Sequence, residues 1–197
     1  MTRPLPEAWR VFVAVAVPAE VRERIETAIR PMRDDPANAG VRWTPPEGYH
    51  FTVRFIGSVA PDRIPEIDAA IAGAARGQAP FEVRFGNVGT FGKRRPRVAW
   101  LGLWDGWREL AALELDLSGR LAHLEHRPRF GGTANRPVAP HLTIARAVRQ
   151  GFEQELQPRL QHLQGTGWTA RELVLYRSHL GPGGSRYEVR SVTGLTV

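Results

Sequence analysis

His50-Phe51-Thr52-Val53-Arg54-Phe55 and, about ninety residues later, His141-Leu142-Thr143-Ile144-Ala145-Arg146 repeat one short pattern, His-x-Thr with apolar residues between. A period of two is the signature of a strand with one buried face. Residues i and i+2 of a strand point the same way, ~6.5–7 Å apart. His50 and Thr52 therefore project together, with Phe51, Val53 and Phe55 toward a core. His141 and Thr143 do likewise, backed by Leu142 and Ile144. Strict alternation adds Arg54 to the His50 face, within reach of a ligand there. It puts Arg146 on the opposite face from His141, unless the strand ends or bends near Ala145.

The flanking sequence extends the same architecture. Arg10–Val17 alternates, with Val11, Val13, Val15 and Val17 on one side and Phe12, Ala14 and Ala16 on the other. The small alanines leave room for a ligand, and Phe12 could stack on a base or simply pack against a helix. Pro18 suits the first turn of a helix, whose stripe is Val21, Ile25, Ala28, Ile29 and Met32. Helical spacing returns over Asp62–Arg76, Trp107–Leu124 and Phe152–Leu163. Further strands are expected at Phe81–Phe85, Arg97–Leu103, Leu173–Leu180 and Tyr187–Val192. The last two flank Gly181-Pro182-Gly183-Gly184 and read as a hairpin. Arg127–Pro140 reads as a loop. Antiparallel hairpins with interspersed helices indicate an α+β fold, and 197 residues without a long linker indicate one domain spanning 1–197.

Composition excludes several chemistries. There is no cysteine, so thiol nucleophiles, disulfides and thiolate-bound zinc are out. No apolar run approaches the ~18 residues of a membrane span, and Met1–Trp9 has no signal-peptide core. A cytoplasmic protein without a membrane partner is the expectation. The net charge of +7 rests on 26 arginines and the single Lys93. It fits a polyanionic partner and fits GC-rich codon usage equally well. No serine elbow, Walker loop or dinucleotide fingerprint occurs.

Two imidazoles and two hydroxyls facing one cleft suit phosphodiester chemistry without a metal. One neutral imidazole takes a proton from attacking water while one imidazolium protonates the leaving oxygen. The threonines donate to non-bridging oxygens, whose charge grows in the transition state. The near symmetry of the two motifs leaves open which histidine is acid and which is base. His123 and His126 are spaced for a metal but lack a third ligand, and His162 and His179 have no partners in the sequence. Neither metal nor cofactor is expected.

Paired His-x-Thr strands in this order resemble the 2H phosphoesterase superfamily, and within it the RNA 2′,3′-cyclic phosphodiesterases, or 2′-5′ RNA ligases. The resemblance also takes in Arg10–Ala14, Arg42-Trp43, Gly89-Thr90-Phe91, Arg95–Gly102 and the closing segment Leu175–Tyr187. It implies a bilobal, pseudo-two-fold fold, with antiparallel sheets flanked by helices and a central cleft. It implies hydrolysis of an RNA 2′,3′-cyclic phosphate to a 2′-phosphate, with possible reversal as 2′-5′ ligation. His50 would be the proton donor and His141 the proton acceptor, with Thr52 and Thr143 holding the phosphate. Arg54, Arg146 and Phe12 are candidates for substrate binding, and the basic turn Lys93–Arg97 for guiding RNA. The alternatives are a phosphodiesterase for another small cyclic phosphate or a 2′-5′ oligonucleotide, and a noncatalytic RNA-binding module. A cleft enclosed by one chain needs no second subunit, so a monomer is expected.

Overall fold

In the computed structural model, residues 8–92, 96–124, 140–181 and 184–197 are described. In chain order the elements are β1 (Trp9–Ala16), α1 (Ala19–Arg33), β2 (Arg42–Trp43), β3 (His50–Val59), α2 (Ile64–Ala75), β4 (Phe81–Phe91), β5 (Val98–Asp105), α3 (Trp107–Leu121), β6 (Leu142–Arg146), α4 (Phe152–Leu160), β7 (Gly167–Ala170), β8 (Glu172–Gly181) and β9 (Gly184–Gly194). Short 3₁₀ turns lead into β3 and α2 and extend α3 and α4. The architecture is the expected mixture of antiparallel sheet and helix. The basic turn at Lys93–Arg95, the stretch 125–139 with His126, and Pro182-Gly183 lie outside the described residues.

Two antiparallel sheets form, with strand orders β3-β1-β8-β9 and β2-β6-β5-β4-β7. In the first, β1 is central and buried on both faces. Val11, Val13 and Val15 enter the main core, whereas Phe12 and Ala14 join a second cluster with Val174 and Tyr176. The valine face packs in one continuous core with Phe51 of β3, with Phe85 and Leu101 of the second sheet, and with the helices. Phe51, Phe85 and Trp168 meet there, with ring centroids 5.3–6.2 Å apart. Each such ring removed from water stabilises the fold by about 1.5–3 kcal/mol. Helix α1 buries the expected Val21, Ile25, Ile29 and Met32. Helix α3 buries Leu110, Leu113, Leu117 and Leu121.

Both motif strands depart from ideal alternation. Along β3, Val13 pairs with Arg54 but the next residue, Ala14, pairs with Thr52, so Val53 is an extra residue; Ile56 is skipped in the same way. Along β6, Ala99 pairs with Ala145 and Trp100 with Thr143, so Ile144 is extra. Such β-bulges exchange the two faces for every residue beyond them. The extended piece that Pro45-Pro46 ends contains the two-residue strand β2, whereas β7, with four residues, escaped the sequence reading because it is too short to show a period.

Gly89 lies opposite Trp100 in the β4–β5 ladder. A Cβ there would overlap the Trp100 ring, so the indole lies flat across the sheet only because the side chain is missing. Gly89→Ala should therefore lower stability by about 1–3 kcal/mol in urea unfolding. Gly119→Ala on α3 meets open space and should instead be neutral or stabilising by up to about 1 kcal/mol.

Candidate active site

His50 opens β3 with its Nδ1 2.7 Å from the Gly48 carbonyl oxygen. A carbonyl only accepts, so Nδ1 carries hydrogen and donates it. In the neutral ring Nε2 is then bare and available to a ligand. The neighbouring residue is fixed just as firmly. Tyr49 is 1% exposed, and its hydroxyl donates to Glu26 Oε1 at 2.5 Å. Arg33 clasps the same carboxylate at 2.5 and 3.0 Å. Burial, and then Glu26, hold the Tyr49 phenol far above its ordinary pKa, so it remains a donor. Helix α1 thus anchors the start of β3.

Three aromatic rings enclose the His50 imidazole. Phe12 lies 4.8 Å from it, Tyr187 meets it at 5.1 Å with the rings perpendicular, and Tyr176 stands at 5.9 Å. Ala16 is directly opposite His50 and Ala14 opposite Thr52, so the cross-strand neighbours leave space beside both. His141 sits just before β6, with the Phe91 ring perpendicular to its own and the ring centroids 4.8 Å apart. Phe91 also rests on Trp100, at 5.5 Å.

The two sheets bring these groups to one open cleft of about 220 Å³, lined by His50, Thr52, His141 and Thr143. This is below the ~300–1,000 Å³ of pockets that enclose a whole drug-sized ligand, so a nucleotide here keeps part of its surface in water. Thr44, Ser178, Ser185 and the backbone at Gly48 add polar groups. Among the described residues, Arg10 and Arg146 are the charged side chains lining it, and no carboxylate does. The cleft is therefore cationic and rich in hydroxyl donors, suited to an anionic phosphate. The same charge acts on His50, whose pKa is lowered to about 4, first by burial and then by His141 and Arg146; the Gly48 bond opposes the shift.

The bulges redistribute the outlying candidates. Arg146 lines the cleft because the extra Ile144 supplies the bend that its position required. Arg54 does not share the His50 face. Beyond Val53 the faces are exchanged, and Arg54 pairs instead with Glu114 of α3. Phe55 takes its place in the cleft, 42% exposed, with the Arg10 guanidinium 4.3 Å from its ring centroid. Phe12 lines the cleft but is only 3% exposed, with His50 and Tyr176 against its ring. It packs on the imidazole rather than on a helix, and that leaves no open face for a base. His123 is bound to Glu66, and His179 to Glu188 at 2.8 Å. Sequence reading missed Tyr187, Tyr176, Arg10 and Phe55 at the site. Adjacent apolar pairs, Phe55-Ile56 and Ile144-Ala145, are the signals that betray the bulges.

The family model of the 2′-5′ RNA ligase superfamily matches residues 17–182. The RNA 2′,3′-cyclic phosphodiesterase of Methanothermobacter thermautotrophicus is 29% identical over 182 residues, covering 90% of this chain and 94% of that protein. The protein of the same name from Thermus thermophilus is 32% identical over 192 residues, covering 91% and 87%. Among solved structures, Escherichia coli LigT in its apo form aligns with a TM-score of 0.75 at 27% identity, over 97% of this chain and 99% of that one. LigT complexed with 3′-AMP aligns with a TM-score of 0.72 at 26% identity, again over 97% and 99%.

The charge coupling at His50 is measurable. In the ligand-free protein its NMR titration should fall near pH 4, well below the usual ~6.5. Arg146→Ala removes a positive neighbour and should raise the midpoint, and inorganic phosphate should raise it in the native protein. A midpoint unmoved by both would show that burial alone sets it.

Proposed function

Because the chain belongs to the 2′-5′ RNA ligase superfamily, we propose that it hydrolyses the terminal 2′,3′-cyclic phosphate of RNA, leaving a 2′-phosphate. The observation that carries this reading is the meeting of His50, Thr52, His141 and Thr143 in one cationic cleft with no carboxylate among the described residues that line it. Relatives named RNA 2′,3′-cyclic phosphodiesterase along nearly the whole chain support the choice of substrate.

The reaction follows from the groups present. The cyclic phosphate carries one negative charge, which Arg146 and the threonine hydroxyls hold. Water attacks phosphorus opposite the 3′ oxygen while His141 accepts its proton. The P–O3′ bond breaks, and His50 Nε2–H protonates the departing oxygen. The products are a 3′-hydroxyl and a 2′-phosphate. If an RNA 5′-hydroxyl replaces water, the same displacement gives a 2′-5′ linkage. The Gly48 bond fits the donor role, because the ring that remains after Nε2 gives up its proton is the Nδ1–H tautomer it already holds. The depressed proton affinity of His50 belongs to the empty cleft. An anion between His50, His141 and Arg146 offsets the repulsion and recharges the ring. His50, His141, Thr52 and Thr143 thus form the reacting set, within one domain of two lobes that acts as a monomer.

The test is hydrolysis of a cyclic-phosphate-ended oligonucleotide. His50→Ala and His141→Ala should each lose about 10²–10⁴-fold in kcat, and Thr52→Ala or Thr143→Ala about 10²-fold, with unchanged circular dichroism. The pH profile of kcat, which reports the substrate complex, should be bell-shaped, its acid limb reporting the base and its alkaline limb the acid. EDTA should leave the rate unchanged. Most activity surviving either histidine substitution would refute the mechanism, and a 3′-phosphate product would refute the proposed bond cleavage.

A further inference from the structure

The β2–β6 ladder sets Arg42 directly across from Arg146. Directly opposed residues of an antiparallel pair leave the sheet on the same face, with Cβ atoms ~4.5–5.5 Å apart. The next pair, Trp43 and Ala145, turns into the core. Both arginines are exposed, which places them on the cleft side. Thr44, on the same side of its strand as Arg42, lines the cleft, as does Arg146 itself. Like charges directly opposed destabilise a sheet. Among the described residues no carboxylate bridges either arginine, although Arg33, Arg63, Arg84, Arg120, Arg149 and Arg190 each face one.

An uncompensated guanidinium pair at the rim of a phosphate cleft is complementary to a second anion. With Ile144 extra, Arg146 lies two ladder positions past Thr143, roughly 7 Å along the strand, and it lines the same cleft. Arg42 lies one strand further out. The wall of the cleft formed by the first sheet differs in character. There Phe55 and Leu180 present exposed apolar surface, which suits a base rather than a phosphate, and Arg10 is laid against the Phe55 ring.

We propose that Arg42 and Arg146 form a subsite for the phosphodiester immediately upstream of the terminal nucleotide, so that the enzyme favours an oligonucleotide end over a lone cyclic nucleotide. This rests on the function proposed above and adds the direction in which RNA leaves the cleft.

Three substrates sharing one terminal nucleotide test it: the 2′,3′-cyclic mononucleotide, the dinucleotide with an ordinary upstream phosphodiester, and the dinucleotide with a neutral methylphosphonate there. The charged dinucleotide should exceed the other two in kcat/KM by about 10-fold or more at low salt. Arg42→Gln should reduce that preference about 10-fold and lower the salt slope by about one, and Arg42→Lys should keep most of it. Thermal melting of the variants monitors the fold. Equal rates on the two dinucleotides, or a loss in Arg42→Gln that is the same for mononucleotide and dinucleotide, would overturn the subsite while leaving the function intact. A native protein that hydrolyses none of the three would overturn both.

Discussion

A strand gives each side chain one of two directions, and a single inserted residue exchanges them. The cleft depends on where that rule is kept and where it is broken. It is kept from His50 to Thr52 and from His141 to Thr143, so each imidazole is accompanied by a hydroxyl on the same face. It is broken at Val53 and at Ile144. The first break turns Arg54 away toward Glu114 and delivers Phe55; the second delivers Arg146. Moving either bulge by one residue would exchange an apolar group for a cation at the rim without touching a histidine.

Electrostatics then separates the arginines by function. Many are neutralised locally by carboxylates on helices and outer strands. Arg10 and Arg146 instead line a cleft of hydroxyls and imidazoles, Arg10 with its guanidinium over the Phe55 ring. The net charge of +7 is therefore a poor guide taken as a sum and a useful one taken by position. Before an anion binds, burial above all, and then the charges of His141 and Arg146, expel the proton from His50, which works against the role of acid proposed for it. In the proposed mechanism the substrate's negative charge opposes the repulsive part of that shift and favours the protonated ring.

The fold was largely legible because most of its elements are long enough to show a period. The valine face of β1, the Pro18-led helix, the leucine stripe of α3 and the closing hairpin all carry their pattern in sequence. That His50, Thr52, His141 and Thr143 share one cleft was legible for the same reason: alternation holds from His50 to Thr52 and from His141, just before β6, to Thr143. Its periphery was not. Bulges are set by pairing with a neighbour, which alternation along one strand does not register. Phe12 was visible as a cleft-facing ring, but its contact with His50 requires knowing that β1 lies between β3 and β8. Tyr176 and Tyr187 reach the imidazole from the far end of the chain, through long-range pairing alone.

That long-range assembly bears on how His50 is held. Its Nδ1 is tied to Gly48, and the ring of Tyr187 packs so closely on Gly48 that a Cβ there would stand 3.3 Å from it. Tyr187 thus touches both the imidazole and the turn whose carbonyl orients it. On the other side, Tyr49 ties the same turn to α1 through Glu26 and Arg33. The imidazole is consequently fixed by the last strand and the first helix at once, while the strand that carries it supplies only direction. General acid catalysis needs a nitrogen held at hydrogen-bond distance from an oxygen that moves as its bond breaks. A ring clamped from both ends of the chain meets that need of the role proposed for His50, and its geometry is coupled to the pairing of the first sheet.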